Sequence, residues 1–189
     1  MRRRNRHAEN CLTKRQPLVR LIFNVNRSTM NVHDYLIDCS SFDWAKLTET
    51  WRWRLPRSFA PWLMNRFGDL YLKTGDGKIH VLRLDDGSLC CLADSREEFC
   101  DKIDDRETTN DWLMIPLVDR LVAAGKVLGP GECYAFVQIP LIGGDYTVEN
   151  VAVRTVAFQY AALGPIFEQM AGLPDGTTVE FKTRDEETG

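Results

Sequence analysis

Between residues 31 and 66, apolar side chains recur at the spacing of a helix. Four of them stand three or four residues apart, as on one helix face: Trp44, Leu47, Trp51 and Leu55. Pro56 follows this run, and proline ends a helix because it lacks the backbone N–H. Ser58 can cap a second short helix that turns three further apolar residues inward: Phe59, Leu63 and Phe67. The pattern predicts a helical N-terminal segment over residues 30–66.

From Gly68 onward the pattern changes to short apolar runs separated by glycine turns. Three runs have the length and composition of strands: 69–73, 78–84 and 88–93. Asp76-Gly77 and Asp86-Gly87 separate these runs, and glycine supplies the positive φ that a tight hairpin turn needs. The spacing predicts a three-stranded antiparallel meander.

Two helices are predicted after the meander. Ser95, with Glu98 three residues later, forms a capping box that places a helix over residues 96–105. Residues 106–110 are polar and predict a break. An apolar helix follows and stops at Gly125, because glycine readily adopts the left-handed conformation that ends helices. These two helices are expected to cover one face of the sheet.

The last third of the chain alternates strand and helix patterns. Strands are predicted over residues 132–139, from residue 151, and over residues 178–182. A helix is predicted over residues 157–171, and Gly164-Pro165 is expected to kink or restart it.

The order of these elements predicts an α+β fold. A mainly antiparallel sheet is covered by helices in a single domain over residues 67–183. The helical segment 30–66 precedes this domain, and a polar tail, 184–189, follows it.

The most densely specified stretch runs from Gly129 to Asn150. It contains four glycines that we interpret as structural turn residues: Gly129, Gly131, Gly143 and Gly144. Four polar or aromatic residues follow the second glycine pair, and we interpret them as candidate partner- or ligand-binding residues: Asp145, Tyr146, Glu149 and Asn150. The stretch is therefore either a binding site or a structural element that holds the domain together.

Charge is distributed unevenly along the 189 residues. The first 29 residues hold eight of the 24 Lys/Arg and one of the 27 Asp/Glu, which leaves 16 basic and 26 acidic residues, a formal charge of −10, in residues 30–189. An acidic surface is repelled by phosphates, so we expect no direct nucleic-acid binding by this part.

The basic leader, residues 1–29, has no apolar periodicity and is interpreted as a disordered extension. Met30 then opens a stretch of different character and is a candidate natural start. An intact N-terminus at Met1 in the native protein would end that hypothesis. The rival interpretation is a nucleic-acid or targeting arm, because basic arms of this kind bind phosphates.

No residue pattern indicates a catalytic, metal or cofactor site. Six cysteines and three histidines lack zinc-ligand spacing, and the cysteines are expected to be reduced thiols. Gly143-Gly144 is not followed by the Lys-Ser/Thr of a phosphate-binding loop. No apolar run reaches the roughly 20 residues of a membrane-spanning helix. We therefore expect no catalytic, metal-binding or cofactor-binding residues and no membrane association.

Several motifs together resemble one bacterial family. They are FGDLY at 67–71, LMIPLV at 113–118, GPGECYAF at 129–136, PLIGGDYTVEN at 140–150, LGPIFEQ at 163–169 and LPDGT at 173–177. Over residues 67–179 the chain resembles the C-terminal domain of type VI secretion DNase immunity proteins. The resemblance implies a cytoplasmic protein without enzyme activity that binds and neutralises a cognate toxin.

Two other functional classes remain open at this point. A small-molecule-binding or regulatory module of the same fold predicts thermal stabilisation by a ligand, lost on changing Asp145 or Glu149. An enzyme predicts turnover that a single carboxylate change abolishes without loss of the fold.

Overall fold

A computed structural model describes residues 31–174 and residue 177 of the chain. The basic extension 1–29, Met30, the predicted strand 178–182 and the polar tail 184–189 lie outside the described residues.

A four-stranded antiparallel sheet forms the first half of the described chain, with strand order β1-β2-β3-β4. The strands are β1 Phe59–Met64, β2 Leu70–Thr74, β3 Ile79–Leu82 and β4 Leu89–Ala93. The turns between β2, β3 and β4 place Gly77 at φ 90° and Gly87 at φ 68°. These are the left-handed conformations that glycine adopts without strain.

The second sheet is a two-stranded antiparallel hairpin of β5 Glu132–Phe136 and β6 Val151–Thr155. The backbone N–H of Tyr134 donates to the carbonyl of Arg66 at 2.8 Å and so joins β5 to the chain between β1 and β2. The predicted fold class, an α+β domain with a mainly antiparallel sheet, is confirmed.

Five α-helices accompany the sheets in the part of the chain that the structure describes. They are α1 Trp44–Leu47, α2 Arg96–Ile103, α3 Arg106–Trp112, α4 Ile115–Ala123 and α5 Val156–Met170. The Ser95 side chain accepts a hydrogen bond from the backbone N–H of Glu98 at 3.1 Å, as the capping box predicts. Within the described residues, none of the helices has the length and apolarity needed to cross a membrane.

The prediction of a helix after Ser58 is wrong, because residues 59–64 form strand β1. This strand pairs with β2 from Phe59↔Thr74 to Met64↔Leu70. On its other side the backbone N–H of Ile37 donates to the carbonyl of Met64 at 2.9 Å. Backbone hydrogen bonds on both sides of these residues favour a strand despite the helical spacing of their apolar side chains. The register of β1 against β2 shifts beside Pro61, which accommodates the proline.

The long helix predicted from Trp44 to Leu55 is also shorter than expected. Helix α1 ends at Leu47, and a 3-10 turn, Glu49–Trp51, continues the chain. The hydroxyl of Thr48 donates to the carbonyl of Trp44 at 2.7 Å, which gives the last turn of α1 a local partner. Trp51 is completely buried at the end of this turn.

The prediction of a break between helices over residues 106–110 is wrong, because these residues belong to helix α3. The Asp105 side chain accepts a hydrogen bond from the backbone N–H of Thr108 at 2.9 Å and caps the helix. The cap was readable in the sequence, but the apolar period that normally reveals a helix is absent from α3.

Helix α5 does not restart at Gly164-Pro165 but runs through the proline. Its buried residues Tyr160, Leu163 and Phe167 belong to the main core, and this packing keeps the helix continuous. The backbone of Gly164 lies against Thr50, where an added Cβ would be 2.6 Å from the Thr50 carbonyl oxygen. Glycine at this position therefore allows close packing of α5 on the N-terminal segment.

Candidate functional site

The loop that joins β5 to β6, residues 137–150 (hereafter the β5–β6 loop), contains the four candidate binding residues. It starts where the backbone N–H of Val137 donates to the carbonyl of Asn150 at 2.8 Å, which extends the hairpin by one pair. A 3-10 turn, Pro140–Ile142, lies in the first half of the loop. The loop is therefore closed at its base and anchored on a sheet.

Asn150 ties the two ends of the loop together with its side chain. Its amide nitrogen donates to the carbonyl of Gln138 at 2.8 Å and to the carbonyl of Asp145 at 2.9 Å. Its amide oxygen accepts from the backbone N–H of Gln138 at 2.9 Å. All three bonds go to the backbone of the loop, so Asn150 fixes the shape of the loop from within.

The two central glycines of the loop are needed for different reasons. Gly143 adopts φ 94°, which glycine reaches without the penalty that a Cβ would bring. Gly144 lies so close to the backbone of Gln138 that an added Cβ would be 1.9 Å from the Gln138 carbonyl oxygen. Space, rather than a left-handed backbone, requires glycine at 144.

The other two glycines precede β5. Gly131 adopts φ 72°, and its carbonyl accepts a hydrogen bond from the backbone N–H of Val156 at 2.9 Å. The backbone N–H of Gly129 donates to the side chain of Glu132 at 2.7 Å. Both glycines therefore shape the turn into the hairpin at the end opposite to the β5–β6 loop.

Tyr146 points from the loop into the molecule. Its hydroxyl donates to the Asp85 carboxylate at 2.7 Å, and its ring meets the ring of Phe136 edge-on with 5.1 Å between ring centroids. Arg120 donates to the Tyr146 carbonyl at 3.4 Å. The candidate binding residue Tyr146 therefore contacts the β3–β4 turn and helix α4 of its own chain.

Asp85, which accepts the hydrogen bond from the Tyr146 hydroxyl, is 3% exposed and forms an ion pair with Arg83. The Nε and Nη2 atoms of Arg83 donate to the two carboxylate oxygens at 3.0 and 2.6 Å. Burial lowers the pKa of Arg83, but the charge of Asp85 and its hydrogen bonds outweigh burial and raise this pKa above its ordinary value. The pair is therefore charged, buried and bidentate.

Asp145 and Glu149 differ from Tyr146 and Asn150, because their side chains are exposed. Two apolar residues of the same loop are also exposed, Val137 by 70% and Leu141 by 45%. The loop thus presents carboxylates and apolar side chains outward, while Tyr146 and Asn150 hold it in place.

Lys126 also holds this loop, although no sequence motif singles it out. Its Nζ donates to the carbonyl of Val148 at 2.8 Å and also to the carbonyl of Val151. The hydroxyl of Tyr134 donates to the Lys126 carbonyl at 2.6 Å. A lysine after a helix-ending glycine has no sequence signature, so only the folded chain reveals this contact.

An acidic surface lies earlier in the chain, on helices α2 and α3 (hereafter the α2–α3 hairpin, residues 94–112). Its side chains include three exposed basic residues and six exposed acidic ones: Asp94, Glu97, Asp101, Asp104, Asp105 and Glu107. Hydrogen bonds lower the pKa of several of these carboxyls, including Asp94, bound by Lys78, and Asp105, bound by Thr108. The surface is therefore negatively charged at neutral pH.

Within residues 31–174, no group of three or more His, Cys, Asp or Glu side chains is arranged to hold a metal ion. Burial lowers the pKa of His80, a strand residue of β3. Four cysteines are free thiols: Cys39, Cys91, Cys100 and Cys133.

Comparison with known families gives a match over part of the chain. Residues 93–159 match the family described as T6SS immunity protein Tdi1, C-terminal. The matched segment includes the α2–α3 hairpin, helix α4, the β5–β6 loop and the first turn of α5. A search of curated proteins finds no match. Through residues 93–159 the chain is therefore similar to the C-terminal part of type VI secretion immunity protein Tdi1, and the resemblance seen in the sequence is confirmed over this segment.

Proposed function

We propose that this chain is a non-catalytic immunity protein that binds a cognate toxin and neutralises it in the bacterial cytoplasm. The observation that carries the proposal is the family match over residues 93–159, since the family is one of immunity proteins of the type VI secretion system. The same segment contains the two surfaces that a protein partner can contact, the β5–β6 loop and the α2–α3 hairpin.

The β5–β6 loop is proposed as the surface that contacts the toxin. Asp145 and Glu149 supply charged groups, and Val137 and Leu141 supply exposed apolar area beside them. Partner surfaces commonly combine an apolar centre with a polar rim, and the binding energy comes from a few residues. Tyr146 and Asn150 contribute by holding the loop and are proposed to act through its shape.

Charge favours a basic toxin, such as the DNase that the resemblance implies. Residues 30–189 carry 16 basic and 26 acidic residues, and six exposed acids lie on the α2–α3 hairpin. A DNA-cutting protein needs a positive surface for phosphates, and an acidic partner is attracted to that surface over long range. The hairpin is therefore proposed to steer association, while the loop supplies the contact.

A ligand-binding module receives less support. A groove lined by Trp53, Arg54, Asp86, Leu141 and Phe167 among others has a volume of about 140 Å³. Sites for small molecules usually have about 300–1,000 Å³. The groove is too small to favour this alternative.

The proposal is tested by expressing the chain together with the protein encoded beside it. Rescue of growth and co-purification of the two full-length proteins are the expected results. A double variant, Asp145→Ala with Glu149→Ala, is expected to bind about tenfold more weakly, since loss of interface contacts acts mainly on dissociation. Glu49→Ala removes an exposed carboxylate of the N-terminal segment and serves as the matched control.

Two outcomes would count against the proposal. Absence of binding and of rescue with the neighbouring protein contradicts the immunity function. Binding that the double variant leaves unchanged contradicts the loop as the contact surface.

A further inference from the structure

We infer that the Tyr146 hydroxyl and the buried Arg83–Asp85 pair form a latch that holds the β5–β6 loop in the shape that the toxin recognises. The inference rests on the proposed function, because it assigns a positioning role at the same surface. Its structural basis is a hydrogen bond of 2.7 Å between two residues that are 61 positions apart in the chain.

The latch joins the matched family segment to a part of the chain outside that segment. Tyr146 belongs to residues 93–159, whereas Arg83 and Asp85 lie in and beside the turn between β3 and β4. The turn is fixed by the sheet, because the backbone N–H of Arg83 donates to the carbonyl of Ser88 at 2.9 Å. The four-stranded sheet therefore gives the loop a rigid point of attachment.

The chemistry of the acceptor explains why this bond can position a loop. Asp85 is 3% exposed, and Arg83 orients both of its carboxylate oxygens. A hydrogen bond to an ionised and buried acceptor is stronger and more directional than one between neutral groups. Tyr146 is thereby held at its hydroxyl, at its ring by Phe136 and at its carbonyl by Arg120.

The neighbours of Tyr146 in sequence are the residues that the latch places. Asp145 precedes it and has its own carbonyl bound by the Asn150 amide at 2.9 Å. The exposed direction of the Asp145 side chain therefore depends on two inward anchors, Tyr146 and Asn150. Loss of one anchor leaves the loop closed at its base but allows its outer part to take several shapes. Toxin affinity then falls in proportion to the population that keeps the recognised shape.

The variant that isolates the latch is Tyr146→Phe. It keeps the ring contact with Phe136, and it leaves the Asp85 carboxylate bonded to Arg83, so no buried charge loses its partner. Tyr35→Phe is a matched control, because it removes another tyrosine–aspartate hydrogen bond, the 2.8 Å bond to Asp119. Both variants lose one hydroxyl group, but only one of them loses the latch.

Two measurements on the full chain test the inference. The first is hydrogen exchange of the free protein, in which Tyr146→Phe is expected to speed exchange at the Gln138 and Gly144 amides about tenfold, the effect of one hydrogen bond. Amides of β2 and β3 are expected to be unchanged, and Tyr35→Phe is expected to leave the loop amides unchanged. The second is affinity for the purified product of the neighbouring gene, expected to fall about tenfold in Tyr146→Phe and to stay unchanged in Tyr35→Phe.

The two measurements separate failure of the latch from failure of the proposed function. If the wild-type chain does not bind the neighbouring product, the immunity function fails, and hydrogen exchange alone decides whether Tyr146 orders the loop. If the wild-type chain binds, and Tyr146→Phe has the same affinity and the same loop exchange, the latch is overturned. Faster loop exchange with unchanged affinity overturns its role in recognition.

Discussion

The β5–β6 loop and the α2–α3 hairpin lie in the same family segment but are held in shape by different kinds of contact. The loop depends on residues far away in the chain, such as Asp85 for Tyr146 and Lys126 for Val148. The hairpin depends on local caps, Ser95 for α2 and Asp105 for α3. The loop is therefore anchored to distant parts of the domain, whereas each helix of the hairpin begins at a cap from its own sequence.

This difference predicts how each region tolerates substitution. Asp85, which anchors the loop through Tyr146, is buried, and removing it takes a partner from the buried Arg83 guanidinium. A cap of the hairpin is exposed, and water replaces it when it is removed. Changes at the loop anchors should therefore destabilise the protein more than changes at the hairpin caps.

The largest effect is expected for Asp85→Ala. The variant removes the bidentate partner of the buried Arg83 guanidinium and leaves the Asp86 carboxylate at 3.9 Å. Loss of one partner of a buried ion pair costs about 3–5 kcal/mol of unfolding free energy. Urea unfolding measures the loss. Asp86→Ala is the control, because the Asp86 carboxylate is 3.9 Å from Arg83 and partly exposed, so its loss should cost about 1 kcal/mol or less. Equal effects of the two variants would contradict this ranking.

Gly144→Val is expected to destabilise the protein by about 3 kcal/mol, the upper range for overpacking. The reason is steric, since an added Cβ would be 1.9 Å from the Gln138 carbonyl oxygen. Thermal unfolding followed by circular dichroism provides the measurement. Gly75→Ala has open space around its Cβ and should change stability by less than about 0.5 kcal/mol. A stable Gly144→Val protein would show that the loop can open without affecting the domain.

Asn150→Ala should cost about 2 kcal/mol, because three hydrogen bonds to the loop backbone are lost and water replaces part of them. Gln138→Ala removes one exposed side-chain bond, to the Ile142 carbonyl at 3.1 Å, and should cost about 0.5 kcal/mol. Chemical denaturation of both variants gives the comparison. The idea that Asn150 is an anchor fails if the two variants are equally stable.

For the hairpin, Asp105→Ala should cost about 1 kcal/mol, the usual effect of losing a helix cap. The variant removes the acceptor for the backbone N–H of Thr108. Hydrogen exchange should show faster exchange at the start of α3 and no change in the β5–β6 loop. Faster amide exchange in the β5–β6 loop of this variant would contradict the view that the Asp105 cap acts only on helix α3.

Low pH should destabilise the start of helix α3 by protonating the Asp105 carboxylate. The hydrogen bond from the backbone N–H of Thr108 lowers the pKa of Asp105 from its ordinary value of 3.8. A carboxyl with a lowered pKa stabilises the folded state above its ordinary pKa, and this contribution is lost as pH falls through the folded value. Amide exchange in α3, corrected for intrinsic rates, should therefore rise below about pH 4 in the wild-type chain. Asp105→Ala should lack this rise, and an identical pH profile would contradict the assignment.

The elements with strong local signals were predictable from the sequence. The Asp-Gly turns fixed the hairpins of β2, β3 and β4, and Ser95 marked the start of α2. Asp145 and Glu149 lie on the surface, and their role in binding stays a prediction. These features depend on neighbours in the sequence, so the sequence contains the information needed to find them.

The features that depend on distant partners were not predictable. Strand β1 forms because β2 and residue 37 pair with it, against the helical spacing of its apolar residues. Asp85 has the sequence signature of a turn residue, yet it is a buried ion-pair partner and the acceptor for Tyr146. The sequence does not determine whether the Tyr146 side chain points outward or inward. Its hydrogen bond to Asp85, 61 residues away, holds it inward.

The immunity function is tested most directly by titrating the full-length chain into the purified product of the neighbouring gene and measuring the toxic activity of that product. A neutralising chain lowers the activity in step with complex formation. The double variant Asp145→Ala with Glu149→Ala is expected to shift the titration to about tenfold higher concentration. Full toxic activity in the presence of excess wild-type chain would contradict the immunity function.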